Sequence, residues 1–160
     1  MTVLAIDPGS AESAWVLWDG HAILGKGKAP NESVGDLVGQ VAIQNSSVRS
    51  IAIEQVVGSY GGNAGMEVME TAYWSGRFAQ RWATHRGAAS VIMLPRKTVV
   101  TYICGHAKAN DSNVRCALID RVGSPGTKKL PGPTAGVTKD IWAALAVAVT
   151  AYDRLSLDRL

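Results

Sequence analysis

Cysteine is scarce in this chain of 160 residues: Cys104 and Cys116 are the only two. They form no CxxC pair and have no adjacent histidine pattern, so a structural zinc site is not expected, and both read as packed thiols rather than a disulfide. No apolar run approaches the roughly 20 residues that a membrane-spanning helix needs. The opening MTVLAID runs straight into strand-like sequence without the basic segment that begins a secretory signal. The expectation is a cytoplasmic protein without membrane contact. Internal repeats and low-complexity domains are also missing. What is present is a 47% hydrophobic composition, enough for one compact domain over 1–160 with its own core.

The excess of positive charge is small, 16 Lys and Arg against 13 Asp and Glu for a net of +3, but it is unevenly spread. Residues 1–85 hold five basic and eight acidic side chains, whereas 86–130 hold eight basic ones (Arg86, Arg96, Lys97, Lys108, Arg115, Arg121, Lys128, Lys129) against Asp111 and Asp120. A basic segment in a chain with exposed acids suits a polyanion held by its phosphates. The plainer reading of the same counts is a solvated face of a basic protein.

Along the chain, residues 2–6 read as a buried strand ended by Pro8-Gly9, and Ala14–Trp18 and Ala22–Lys28 as two strands joined through Asp19-Gly20. Helical spacing of Val34, Leu37, Val38, Val41 and Ala42 predicts a helix over Asn31–Gln44 with Asn31 as its N-cap. A fourth strand follows at Ser50–Val57. Beyond the glycine-rich stretch GSYGGNAG comes a long helix to about Arg86, then a strand at Ser90–Leu94 stopped by Pro95. Short helices are expected at Lys97–Tyr102 and Asn110–Val122, a flexible loop over GSPGTKKLPGPTAG, and a last helix over Thr138–Tyr152. Strands and helices in this order predict an α/β layer with a mixed sheet.

Three acids stand out by position. Asp7 closes the apolar run VLAI, and Glu54 closes IAI, so each is carried to the end of a strand. Asp140 lies in the first turn of the last helix, where a carboxylate also favours the helix N-terminus. Carboxylates gathered from distant parts of a chain are what divalent metal ions need for phosphodiester hydrolysis. Two of them have a quieter reading: Asp7 as a turn cap before Pro-Gly, Glu54 as one half of a salt bridge with an unidentified Arg. An actin-like phosphate turn at IDPGS would need a second phosphate loop, which the sequence does not show.

Taken in order, IDPG at the end of the first strand, IEQV at the end of another, the long helix, the basic RKTVV segment and an acid followed by ALAVAV resemble the RuvC-type Holliday junction resolvases, of the RNase H-like, retroviral-integrase-like fold. The resemblance covers nearly the whole chain. It implies an RNase H-like α/β fold, a mixed five-stranded sheet flanked by helices, and two Mg²⁺ ions, replaceable by Mn²⁺, held by Asp7, Glu54 and Asp140. The family usually has Gly where Ala5 and Ala14 stand, and a fourth acid where Ala143 stands, one helical turn after Asp140. An alanine there is what an inactivating substitution would leave, or what drift to a DNA-binding protein would leave. Cleavage is therefore expected to be impaired.

The activity implied is symmetric cutting of four-way DNA junctions to leave 5′-phosphate and 3′-hydroxyl ends. Lys97 and Lys108 are candidates for stabilising charge on the scissile phosphate. Arg96, Lys97, Lys108, Arg115, Lys128 and Lys129 are candidates for gripping DNA phosphates. Resolvases of this type carry a wedge just after the second acid. Val57 stands at the usual place, while Tyr60 is the aromatic suited to stacking on exposed bases. In the long helix, Met66, Met69, Tyr73, Trp74, Phe78 and Trp82 spread too far around the circumference for one buried stripe, which predicts a homodimer through this helix. A branched-DNA-binding module without cleavage and an RNA–DNA hybrid hydrolase are the competing expectations. A partner helicase is left unknown.

Overall fold

The computed structural model describes residues 1–57 and 65–158. Five strands, β1 (Thr2–Asp7), β2 (Glu12–Trp18), β3 (Ile23–Pro30), β4 (Val48–Gln55) and β5 (Val91–Pro95), form one sheet in the order β3-β2-β1-β4-β5. The β1–β2 and β2–β3 pairs are antiparallel, while β4 runs parallel to both β1 and β5. Around the sheet stand α1 (Asn31–Gln44), α2 (Met66–Arg86), α3 (Arg96–Cys104), α4 (Asp111–Val122) and α5 (Lys139–Leu157). This is the mixed five-stranded sheet flanked by helices that the sequence predicts.

Alternation along the central strand decides what lies on each face. Val3 and Ala5 point to one side and pack with Ala14, Val16, Ala52, Leu94 and the buried stripe of α5. Leu4 and Ile6 point to the other and pack with Ile51, Ile53, Val34 and Val38 of α1 and Phe78 and Trp82 of α2. Because β1 is covered on both sides it reads as a continuous apolar run rather than an alternating one. Deleting a large side chain such as Trp82, which is fully buried, would cost about 3–5 kcal/mol.

Two local expectations change. Asn31 is not the N-cap of α1: Pro30 holds that position, and Asn31 is the first helical residue. Its side chain is buried and used elsewhere, accepting from Ser13 Oγ at 2.6 Å and donating to the Gly9 carbonyl at 3.0 Å. The segment 123–136, expected to be a flexible loop, is instead folded on itself. Gly126 bridges Pro131, Thr134 is completely buried, and the Thr134 hydroxyl donates to the Gly123 carbonyl at 2.8 Å. Asn110, by contrast, caps α4 through a full reciprocal capping box with Asn113.

Candidate active site

The period of two that builds the core also places the acids. Asp7 follows Ile6 and so lies on the same face as Val3 and Ala5, towards α5. Glu54 follows Ile53 and shares the face of Ala52, also towards α5. The strands are parallel and Ile6 pairs with Ile53, so the two carboxylates end up one step further along, beside each other at the carboxyl ends of adjacent strands. The first turn of α5 brings Asp140 over that edge. Asp7, Glu54, Asp140 and Ala143 line one cleft of about 760 Å³, together with Arg96, Asp111, Arg115 and Trp142.

The cleft is short of positive charge at its floor. Burial, then the neighbouring charges of Glu54 and Asp140, and more weakly Asp111, push the Asp7 carboxyl from 3.8 up to about 7, against an opposing pull from Arg96. Burial also raises Glu54, whose side chain is 13% exposed, although Arg96 draws it back. Arg96 sits at the mouth, its guanidinium 3.4 Å from Glu54 Oε1 and also bonded to Asp111. The salt-bridge reading of Glu54 thus has its Arg. On the other side of the floor, Lys28 Nζ lies 2.7 Å from Asp140 Oδ2 and 3.4 Å from Glu12.

With these cations in place, no group of three His, Cys, Asp or Glu side chains closes into a ligating cluster among the described residues. The donor set still fits a hard divalent ion: carboxylate oxygens from three elements around one open cleft, including Asp7, whose carboxyl is pushed up by burial and then by its acidic neighbours. Asp7, Glu54 and Asp140 are the residues that would hold it.

The other candidates divide by position. Arg96 and Arg115 line the cleft, and the Arg115 guanidinium stands 5.6 Å from the centre of the Trp142 ring. Lys97, Lys108, Lys128 and Lys129 are exposed and outside its lining. Arg86 is spent on structure, donating to the carbonyls of Ala42 and Asn45 at 2.6 and 2.7 Å at the end of α1. Arg121 is likewise tied to Asp153, which also accepts from the Tyr102 hydroxyl at 2.7 Å. Val57 is 65% exposed, and Tyr60 lies outside the described residues. Sequence reasoning missed Lys28, Glu12 and Asp111. The alternation Gly-Lys-Gly-Lys in β3 was the available signal for the first, since it puts Lys26 and Lys28 on one face of an edge strand.

Searches of solved structures return whole-chain matches. RuvC of Thermus thermophilus in complex with a Holliday junction substrate aligns with a TM-score of 0.70 at 17% identity, over 98% of this chain and 96% of that one. The fold is that of the RuvC resolvases. A second structure of Thermus thermophilus RuvC aligns with a TM-score of 0.62 at 19% identity over 98% and 97% of the two chains. The yeast mitochondrial Holliday junction resolvase aligns with a TM-score of 0.57 at 13% identity over 99% and 86%. No protein-family model and no curated protein matches the sequence.

Proposed function

We propose that this protein is a metal-dependent endonuclease of the RuvC type that binds four-way DNA junctions and cuts them slowly. The observation that carries the proposal is the convergence of Asp7, Glu54 and Asp140 from β1, β4 and α5 on one cleft, on a sheet of RuvC topology. Bound there, Mg²⁺ or Mn²⁺ would activate a water for attack on the phosphodiester and stabilise the leaving 3′ oxygen. The chain's own residues do the rest. Asp7, as a carboxylate, would be one of the residues holding the ion. Arg96 exchanges Glu54 and Asp111 for a DNA phosphate, and Arg115 offers a second phosphate contact along the cleft. Tyr60, six positions after Glu54 in the sequence, is the residue proposed for stacking on an opened base.

A symmetric junction calls for two cleavage centres, and α2 supplies the surface for a two-fold partner. Phe78 and Trp82 are buried in the protomer's core, while Met66, Met69 and Tyr73 are 71%, 60% and 60% exposed. A stripe so exposed among the described residues, where Tyr73 meets Trp74 and Arg77, fits a homodimer interface.

A second reading, binding without cleavage, is favoured by one observation. Ala143 lines the cleft where the resemblance calls for a fourth acid. Incubating the protein with labelled four-way, three-way, flap and RNA–DNA hybrid substrates in Mg²⁺ or Mn²⁺ separates the possibilities. Paired nicks in the four-way junction, abolished in Asp7→Asn while binding persists, are expected. Binding with no nicks under any metal would leave the binding module, and preference for the hybrid would leave the RNA–DNA hydrolase.

A further inference from the structure

Lys28 reaches the acidic floor through a path the sheet builds for it. Lys28 pairs with Ala14 across β3–β2, and Ala14 pairs with Asp7 across β2–β1, so the three residues stand in one row on the α5 face. Neighbouring strands are about 4.8 Å apart, which puts the Lys28 backbone roughly 10 Å from that of Asp7. Only the small, fully buried Ala14 lies between them. From that row the Lys28 ammonium reaches Asp140 Oδ2 at 2.7 Å. Glu12, at the start of β2, holds the ammonium from the outer side at 3.4 Å.

The glycines of β3 keep the strand in this position. A Cβ on Gly25 or Gly27 would meet the Trp15 ring at 3.1 and 3.0 Å, tighter than an ordinary van der Waals contact. Trp15 packs flat beneath the edge strand on the α1 side, and Lys28 is left on the α5 side facing the cleft. A second groove runs from Asp7 through Gly9, Ser10 and Glu12 to Lys28 and Asp140, so the ammonium sits between the Asp7 loop and the start of α5.

We propose that Lys28 is a built-in cation of the active site, its ammonium taking at Asp140 the charge position of a second metal ion, so that the chain holds one divalent ion at Asp7 and Glu54 instead of two. Locally, the carboxylates of Asp7 and Glu54 match one divalent ion in charge, while the Asp140 carboxylate is met by the Lys28 ammonium, with Glu12 on its outer side. Arg96 is shared between Asp111 and Glu54 at the mouth. The inference rests on the metal-centre reading of the proposed function and deepens it.

The test is a count of Mn²⁺ bound per chain, read from the free-ion electron paramagnetic resonance signal without DNA, for the unaltered protein, Lys28→Gln and Asp7→Asn. The unaltered protein should bind one ion, and Lys28→Gln either a second ion or the first roughly tenfold more tightly, since a fixed positive charge has been removed beside the site. Asp7→Asn should lose binding. Two ions in the unaltered protein, or the same count and affinity after Lys28→Gln, would overturn the role of Lys28 and leave the metal centre standing. No Asp7-dependent binding in any variant would overturn the metal centre itself, and the inference with it.

Discussion

The Ser13 hydroxyl and the Asn31 side chain are joined by a buried 2.6 Å hydrogen bond from β2 to the start of α1. Ser13 also accepts from the Gly9 backbone N–H at 3.2 Å, and Asn31 donates back to the Gly9 carbonyl. Both backbone groups of Gly9, two residues beyond Asp7, are therefore held by side chains. Asn31→Ala would leave the Gly9 carbonyl and the Ser13 hydroxyl without these partners, at a cost of about 1–3 kcal/mol. Urea denaturation should show that loss, and any cleavage should fall further than stability alone explains because the Asp7 turn is released. A variant as stable as its parent would mean water replaces the amide.

The same residue shows where local sequence stops being informative. An Asn just before an apolar-periodic run looks the same whether it caps the helix or reaches across to a turn; only Ser13 and Gly9, distant in sequence, decide. Asp7 and Glu54 were readable because strand alternation is local and each acid ends an apolar run. Lys28 was not, since its role depends on the β2–β3 register and on the size of Ala14. The 123–136 segment was misjudged for a related reason. Its Gly and Pro content describes turns correctly, but the burial of Thr134 against Gly123 follows from tertiary packing.

Proton binding at Asp7 sets a pH dependence of unusual sign. Its pKa rises from 3.8 in the unfolded chain to about 7 in the fold. Between those values the folded state holds a proton that the unfolded chain has lost, so stability falls as pH rises through this window and levels off above it. Without metal, the stability read from urea denaturation should decline from about pH 4 to 7, by an amount on the order of a few kcal/mol. Asp7→Asn should flatten the decline, and Mg²⁺ should oppose it by favouring the carboxylate. Equal slopes in parent and variant would remove Asp7 as the titrating group.

Junction binding should weaken steeply with salt, but through fewer side chains than the count over 86–130 implies. Arg86 and Arg121 are committed to Ala42, Asn45 and Asp153. Replacing Arg96 and Lys97 together by Ala should lower affinity and reduce the slope of log K against log salt by roughly 1–2. Arg86→Ala should reduce stability with the slope unchanged. An unaltered slope in the double variant would put the DNA surface elsewhere.

The proposed dimer would assemble through the exposed side of α2. Met69→Lys places a charge in the middle of the Met66–Tyr73 stripe, and light scattering should report a dimer for the unaltered chain and a monomer for the variant. Thermal stability should change little, because Met69 is 60% exposed in the protomer. A monomeric unaltered chain would refute the interface.

Restoring an acid at 143 probes the centre most sharply. Residue 143 follows Asp140 by three positions on α5 and lines the same cleft, so a carboxylate there adds an oxygen ligand on the helix face that already carries Asp140. Lys28 holds Asp140 from the β3 side, and a new acid on the helix would supply the oxygen that lets a further ion compete with the lysine for Asp140. Ala143→Asp should therefore raise the junction cleavage rate in Mg²⁺ by one or more orders of magnitude, each tenfold corresponding to about 1.4 kcal/mol of transition-state stabilisation. Affinity for the junction in metal-free buffer should stay the same or drop slightly, since a negative charge is added near phosphates. Both quantities come from one gel series with and without Mg²⁺. A faster variant with unchanged products would show that the three-acid centre is a working but under-liganded one. An unchanged rate would mean that the existing acids and Lys28 already satisfy the chemistry, or that this cleft binds DNA without cutting it; cleavage by the unaltered chain tells these two apart.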